Sequence, residues 1–152
     1  MNIVVISDTH GFLPSSDEFF ALLDEADRIY HLGDGLREIR TLEYAYGEKL
    51  LWVAGNNDPV FGKSYAIDDA EGVKILLTHG HDFGVKSSLT KLAAFAKERG
   101  ASHVFYGHTH IQSDDEISGV RLINPGSLRR GYYCFAAAHE GRLVARQMKR
   151  FV

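Results

Sequence analysis

The sequence predicts an α/β protein, a four-layer α-β-β-α sandwich with two mixed β-sheets flanked by helices. Two observations carry the prediction. Apolar, β-branched runs alternate with amphipathic stretches as far as residue 106, the pattern of parallel strands joined by crossover helices. From residue 111 onward the helical period disappears, and alternating runs are separated by Ser118-Gly119 and Glu140-Gly141, turn pairs typical of hairpins. A chain of 152 residues is about one domain long and can bury roughly two-thirds of its unfolded surface, so a single domain over 1–152 is expected.

Each element has its own signal. Residues 2–7 hold the continuous β-branched run Ile3-Val4-Val5-Ile6, as in a strand covered on both faces. Pro14-Ser15-Ser16-Asp17 supplies turn and cap residues before Phe19, Phe20, Leu22 and Leu23, which repeat at helical spacing. Residues 28–32 read as a second strand, 36–46 as a helix with Leu36, Ile39, Leu42 and Tyr46 near one face, and 50–54 as a third strand. The βαβαβ series is followed by a strand at 73–78, a helix at 87–99 and a strand at 102–106. The remaining segments, 111–117, 120–123, 132–139 and 143–151, predict two hairpins that form a mostly antiparallel second sheet.

Composition narrows the setting. The single cysteine, Cys134, lies in an apolar run, which excludes a disulfide framework and points to a buried thiol in a reducing cytoplasm. The opening residues have no basic n-region and Asp8 interrupts their short apolar stretch, so no secretion signal is expected. No run approaches the ~20 apolar residues of a membrane span. A net charge of -3 gives no large basic field for duplex nucleic acid, and the basic tail Arg142, Arg146, Lys149 and Arg150 reads as a solvated strand face. Homo-oligomerisation is left open.

Function is written in five polar clusters, each just after an apolar run: Asp8-Thr9-His10, Gly33-Asp34-Gly35, Gly55-Asn56-Asn57-Asp58, Thr78-His79-Gly80-His81 and Gly107-His108-Thr109-His110. Ligand sites in open parallel sheets collect outside the carboxyl ends of the strands, where these clusters fall. Carboxylate, carboxamide and imidazole form a mixed N/O set suited to Mn²⁺, Ni²⁺, Fe²⁺, Co²⁺ or Zn²⁺, and the absence of thiolate argues against a closed structural zinc site. Two such ions ~3.5–4 Å apart would clamp a phosphoryl group and activate a bridging water for in-line displacement.

These motifs, in this order, resemble the calcineurin-like metallophosphoesterase superfamily, and Asn124-Pro125-Gly126-Ser127 with the Thr78-His79-Gly80-His81 form is similar to its small YfcE-type phosphodiesterases. The resemblance spans residues 8–127. It implies that Asp8, His10 and His110 hold one ion, that Asn56, His79 and His108 hold the other, and that Asp34 bridges them. Manganese is the first choice among the two divalent ions, and the substrate is a small phosphodiester cut by a metal-bridging hydroxide.

In many relatives a histidine stands where this chain has Asn57 and protonates the leaving oxygen. A carboxamide donates a hydrogen bond to phosphate but does not titrate near neutrality. Asn57 is therefore read as a substrate contact and His81 as the alternative proton source. Arg129, after the Asn-Pro-Gly-Ser segment, is a candidate for a substrate phosphate. His31, His103 and His139 stand outside the motifs and read as structural. Two other readings stay open: a catalytically weak binding or scaffold module that keeps the fold, as in the vacuolar-sorting relatives, and a phosphomonoesterase using the same ions.

Overall fold

A computed structural model describes residues 1–59 and 62–151; positions 60, 61 and 152, the last of which closes the expected domain span, lie outside the described residues. In chain order the elements are β1 (Asn2–Ile6), α1 (Asp17–Glu25), β2 (Arg28–His31), α2 (Leu36–Tyr46), β3 (Leu50–Trp52), β4 (Tyr65–Ala70), β5 (Val73–Thr78), α3 (Thr90–Glu98), β6 (His103–Tyr106), β7 (Ser113–Ile117), β8 (Val120–Asn124), β9 (Tyr132–His139) and β10 (Arg142–Lys149). Two mixed five-stranded sheets result, ordered β10-β9-β1-β2-β3 and β4-β5-β6-β8-β7.

Three apolar layers define the sandwich. Between the sheets lie Ile3, Val5, Tyr30, Ile75, Leu77, Phe105 and Cys134. The outer face of the first sheet meets Phe19 and Leu23 of α1 and Leu42 of α2, and the outer face of the second meets Leu92, Ala93 and Ala96 of α3. Helix α1 starts where Ser16 accepts a hydrogen bond from the Phe19 amide at 3.3 Å. The predicted first-half elements form with small shifts at their ends, and among the described residues no helix is long and apolar enough to cross a membrane.

Two expectations need correction. The hairpin β9–β10 does not join β7–β8 in the second sheet; β9 pairs antiparallel with β1, Asn2 opposite Ala137 and Val5 opposite Cys134. The second sheet consequently has two parallel and two antiparallel pairings rather than a mostly antiparallel set. The reason is that β9 is apolar on both faces. Cys134, Ala136 and Ala138 fill the space between the sheets, while Tyr133 and Phe135 need the cover of the α1 side. The place beside β1 offers both.

The second correction is β4, which the sequence reading leaves out. Its Asp68-Asp69 pair looks like a turn, yet six residues pair with β5 and Asp68 accepts a 2.6 Å hydrogen bond from the Tyr30 hydroxyl across the sandwich. Burial and that carboxylate raise the Tyr30 phenol well above its ordinary range, so it stays a donor.

Candidate metal centre

Strands β1, β2, β3, β5 and β6 all deliver their following residues to one edge, which gathers the five clusters. The turns there are unusual. Asp8, His10, Asp34, His108 and His110 have φ between 44° and 69°, the left-handed region that non-glycine residues seldom adopt. Such strain gathers where the surrounding structure over-determines it. Two glycines permit the close approach: a Cβ at Gly55 would collide with the Asp34 carboxylate, and one at Gly107 with Ser7 and the Asp8 carboxylate.

The candidate ligands form two groups. Asp8, His10 and His110 make the first, with Asp8 Oδ1 3.1 Å from His110 Nε2 and 3.5 Å from His10 Nε2. Asp34, His79 and His108 make the second, with Asp34 Oδ2 3.3 Å from His79 Nε2, and His79 Nε2 3.2 Å from His108 Nδ1. Asn56 joins it through Oδ1, 3.0 Å from His79 Nε2. Asp34 Oδ2 also lies 3.8 Å from His10 Nε2, between the groups. His108 and His110 stand in a loop rather than a strand, so alternate residues reach the same edge.

Asp8 tests whether a cation fits. Its Oδ2 accepts from the Ser7 hydroxyl at 2.6 Å and the His108 amide at 3.1 Å, whereas Oδ1 is buried, has no hydrogen-bond donor and faces the imidazoles. An orphaned buried carboxylate oxygen beside converging ring nitrogens is what a divalent ion would satisfy. Charge agrees. Burial pushes Asp34 up, but hydrogen bonds from His79 and the Asn57 amide outweigh it and hold the carboxyl well below its usual range. Burial likewise pulls His79 down, and Asp34 and Asp8 more than reverse it. Negative charge at this edge therefore attracts whatever positive charge is at hand.

Several supporting residues escape a reading of the sequence. The Asp58 carboxylate accepts four backbone N–H groups, from Asp34 and Gly55 at 2.7 Å and from Gly35 and Leu36 at 3.1 Å, joining the Asp34 turn to the Asn56 turn and the start of α2. Asn124 donates to the Gly107 carbonyl and Thr109, and the Ser127 hydroxyl donates to the Asp8 carbonyl at 2.7 Å. An acidic residue in a Gly-Asn-x-Asp turn was the only sequence signal for Asp58; three of its four partners are 22 to 24 residues away.

His31 is structural, as expected, and works on the site's frame. Gly33 N–H donates to its Nδ1 at 3.1 Å, leaving Nε2–H to donate to Thr9. Burial pushes its pKa down to about 3, so the folded state holds the ring neutral. The unfolded ring titrates near ~6.5, and the folded value is the lower one. Stability is therefore complete above about pH 6.5 and falls as pH drops toward 3. His31→Gln should flatten that slope by up to one proton, ~1.4 kcal/mol per pH unit, in urea denaturation of metal-free protein; an unchanged slope contradicts the assignment.

The remaining candidates sit around the same edge. Asn57 uses its side chain on Asp34 Oδ2 and its amide on Asp34 Oδ1, both at 2.8 Å. Exposed Arg129 donates to the His10 carbonyl. The His81 ring lies 5.4 Å from that of His79 and 6.1 Å from that of His108, tilted against both, with Nε2 3.3 Å from Asp82 and Nδ1 buried without a partner. His103 and His139 stay outside, on β6 and at the end of β9.

Comparison with known proteins decides the family. The profile of the calcineurin-like phosphoesterase superfamily domain matches residues 1–139. The chain belongs to the calcineurin-like phosphoesterase superfamily. Within it, the chain is 38% identical over 132 residues to a probable metallophosphoesterase of Bacillus subtilis, covering 85% of this chain and 76% of that one. It is 26% identical to a phosphodiesterase of Methanocaldococcus jannaschii over 83% of both chains. A crystal structure of a predicted phosphoesterase from Streptococcus pneumoniae superposes with a TM-score of 0.81 at 25% identity, over 97% of this chain and 88% of that one. This phosphoesterase superfamily is metal-dependent, which matches the two ligand groups.

Proposed function

We propose that the chain is a phosphodiesterase using two divalent ions, with Mn²⁺ the expected metal, in a cytoplasmic setting. The observation that carries this reading is the pair of ligand groups meeting at Asp34, with the unsatisfied Asp8 Oδ1 facing one of them. Asp8, His10 and His110 would hold one ion, Asn56, His79 and His108 the other, and Asp34 both. When bound, two such ions lower the pKa of water, neutralise phosphoryl oxygens and support in-line displacement.

The chain's own residues divide the remaining tasks. Asn57 fixes the orientation of Asp34 through two hydrogen bonds and has a second amide hydrogen to offer a substrate oxygen. Arg129, anchored on the His10 carbonyl, contributes a guanidinium for phosphate. His81, beside His79 and His108, is the proposed proton source for the leaving alcohol. The diester preference is supported by the Methanocaldococcus jannaschii relative, a phosphodiesterase.

The test is hydrolysis of bis-p-nitrophenyl phosphate by Mn²⁺-loaded protein, beside p-nitrophenyl phosphate. Turnover of the diester well above the monoester is expected. The reverse order would favour a phosphomonoesterase. No turnover with any first-row ion, in protein shown to hold two metals, would leave the binding or scaffold module, whose one supporting observation is that Asn57 replaces a titrating donor.

A further inference from the structure

At the ligand groups a cleft of about 290 Å³ is formed by His10 and Gly11 after β1, by Asp34, Arg37 and Glu38 around the start of α2, and by Asn57. That is the low end of the roughly 300–1,000 Å³ of small-molecule sites. Glu38 is the unexpected member. Its side chain is only 5% exposed, and Oε1 is buried with no hydrogen-bond partner.

An acidic residue in the first turn of a helix ordinarily needs no special account, because it complements the helix dipole or caps the N-terminal amides. Neither role explains burial here. The amides of Gly35 and Leu36, which a third-position glutamate would cap, already donate to Asp58. A dipole contribution is equally available to an exposed side chain. Glu38 thus keeps an unsatisfied acceptor at a free-energy cost while its residue lines a cleft that shares Asp34, His10 and Asn57 with the proposed ion site.

We infer that this cleft receives the alcohol portion of the substrate, that this portion carries free hydroxyls as in a glycerol or sugar unit, and that Glu38 accepts a hydrogen bond from one of them. The inference rests on the phosphoesterase reading above and adds the substrate class.

Calorimetric binding of phosphate monoesters to Mn²⁺-loaded protein tests it without requiring turnover. Glycerol 3-phosphate, ribose 5-phosphate and ethyl phosphate share the phosphate and differ in hydroxyls. Wild type should bind one of the hydroxylated esters ~10-fold or more tighter than ethyl phosphate, the span of a charge-assisted hydrogen bond; whichever ester is preferred identifies glycerol or sugar. Glu38→Leu should remove that preference, and Glu38→Gln, which keeps the shape and a weaker acceptor, should reduce it.

Equal binding of all three esters by wild type would overturn the inference, as would a preference that survives both substitutions. The wild-type comparison stands even if Glu38→Leu does not fold. Binding with the expected preference but no hydrolysis of bis-p-nitrophenyl phosphate would fail the enzyme reading alone, and hydrolysis without the preference would fail the Glu38 assignment alone.

Discussion

Asp34→Asn should lower kcat/KM for bis-p-nitrophenyl phosphate by ~10³-fold or more, the equivalent of about 4 kcal/mol of lost transition-state stabilisation, while the protein stays folded. Asp34 Oδ2 lies 3.3 Å from His79 Nε2 and 3.8 Å from His10 Nε2, within reach of both ligand groups, and Asp8 Oδ1, 3.1 Å from His110 Nε2, lies farther from the second group, 3.9 Å from His79 Nε2. Asp34 also receives two hydrogen bonds from Asn57, one on each oxygen. An asparagine offers a single acceptor oxygen, so its amide hydrogens would face either Asn57 or an ion. Charge falls by one where two cations are to be held. Metal analysis should show fewer than two bound ions per chain, with unchanged circular dichroism. Parent-level activity in a two-metal Asp34→Asn protein would refute Asp34 as the shared ligand.

Asp58→Ala should cost about 3–5 kcal/mol of stability, because hydrogen bonds to a charged acceptor are worth ~1.5–3 kcal/mol each and water can replace only some of the four. The amides left behind belong to Asp34, Gly35, Leu36 and Gly55. Two turns and the first turn of α2 would loosen together. Metal affinity should fall as well, by the ~10–100-fold seen when groups behind metal ligands are removed. Asp58→Asn, which keeps one oxygen, should lie between the parent and Asp58→Ala on both measures. Urea denaturation and Mn²⁺ titration read the two effects separately, and a loss of stability without loss of metal affinity would confine Asp58 to a structural part.

Much of this was legible in the sequence because strand–loop chemistry is local. Each polar cluster directly follows its strand, so a one-dimensional reading places Asp8, Asp34, Asn56, His79 and His108 at strand ends. Helix α2 was readable to the residue, since Gly35 precedes it and its apolar spacing is regular. Strand β4 was not, because Asp68 and Asp69 favour turns when isolated and become strand residues only opposite Ile75 and Lys74 of β5.

The same limit hid the hairpin's sheet and the supporting contacts of the site. Nothing local in residues 132–139 says whether they lie beside β1 or β8; small residues on one face and aromatics on the other acquire meaning only from the two layers they fill. Asp58 and Ser127 look like ordinary turn residues until the chain folds and brings amides and carbonyls 22 to 119 residues distant within 3.1 Å.

The sequence by itself determined the α/β class, the clusters that could bind metal and the resemblance that gave them an order, because strand pattern and ligand type are carried by consecutive residues. Tertiary structure alone decided which sheet β9 and β10 complete, that Asp58 ties the Asp34 and Asn56 turns together, and that Glu38 is buried without a donor. Those outcomes depend on distances between segments remote in the chain, and such distances are set only when the apolar layers close.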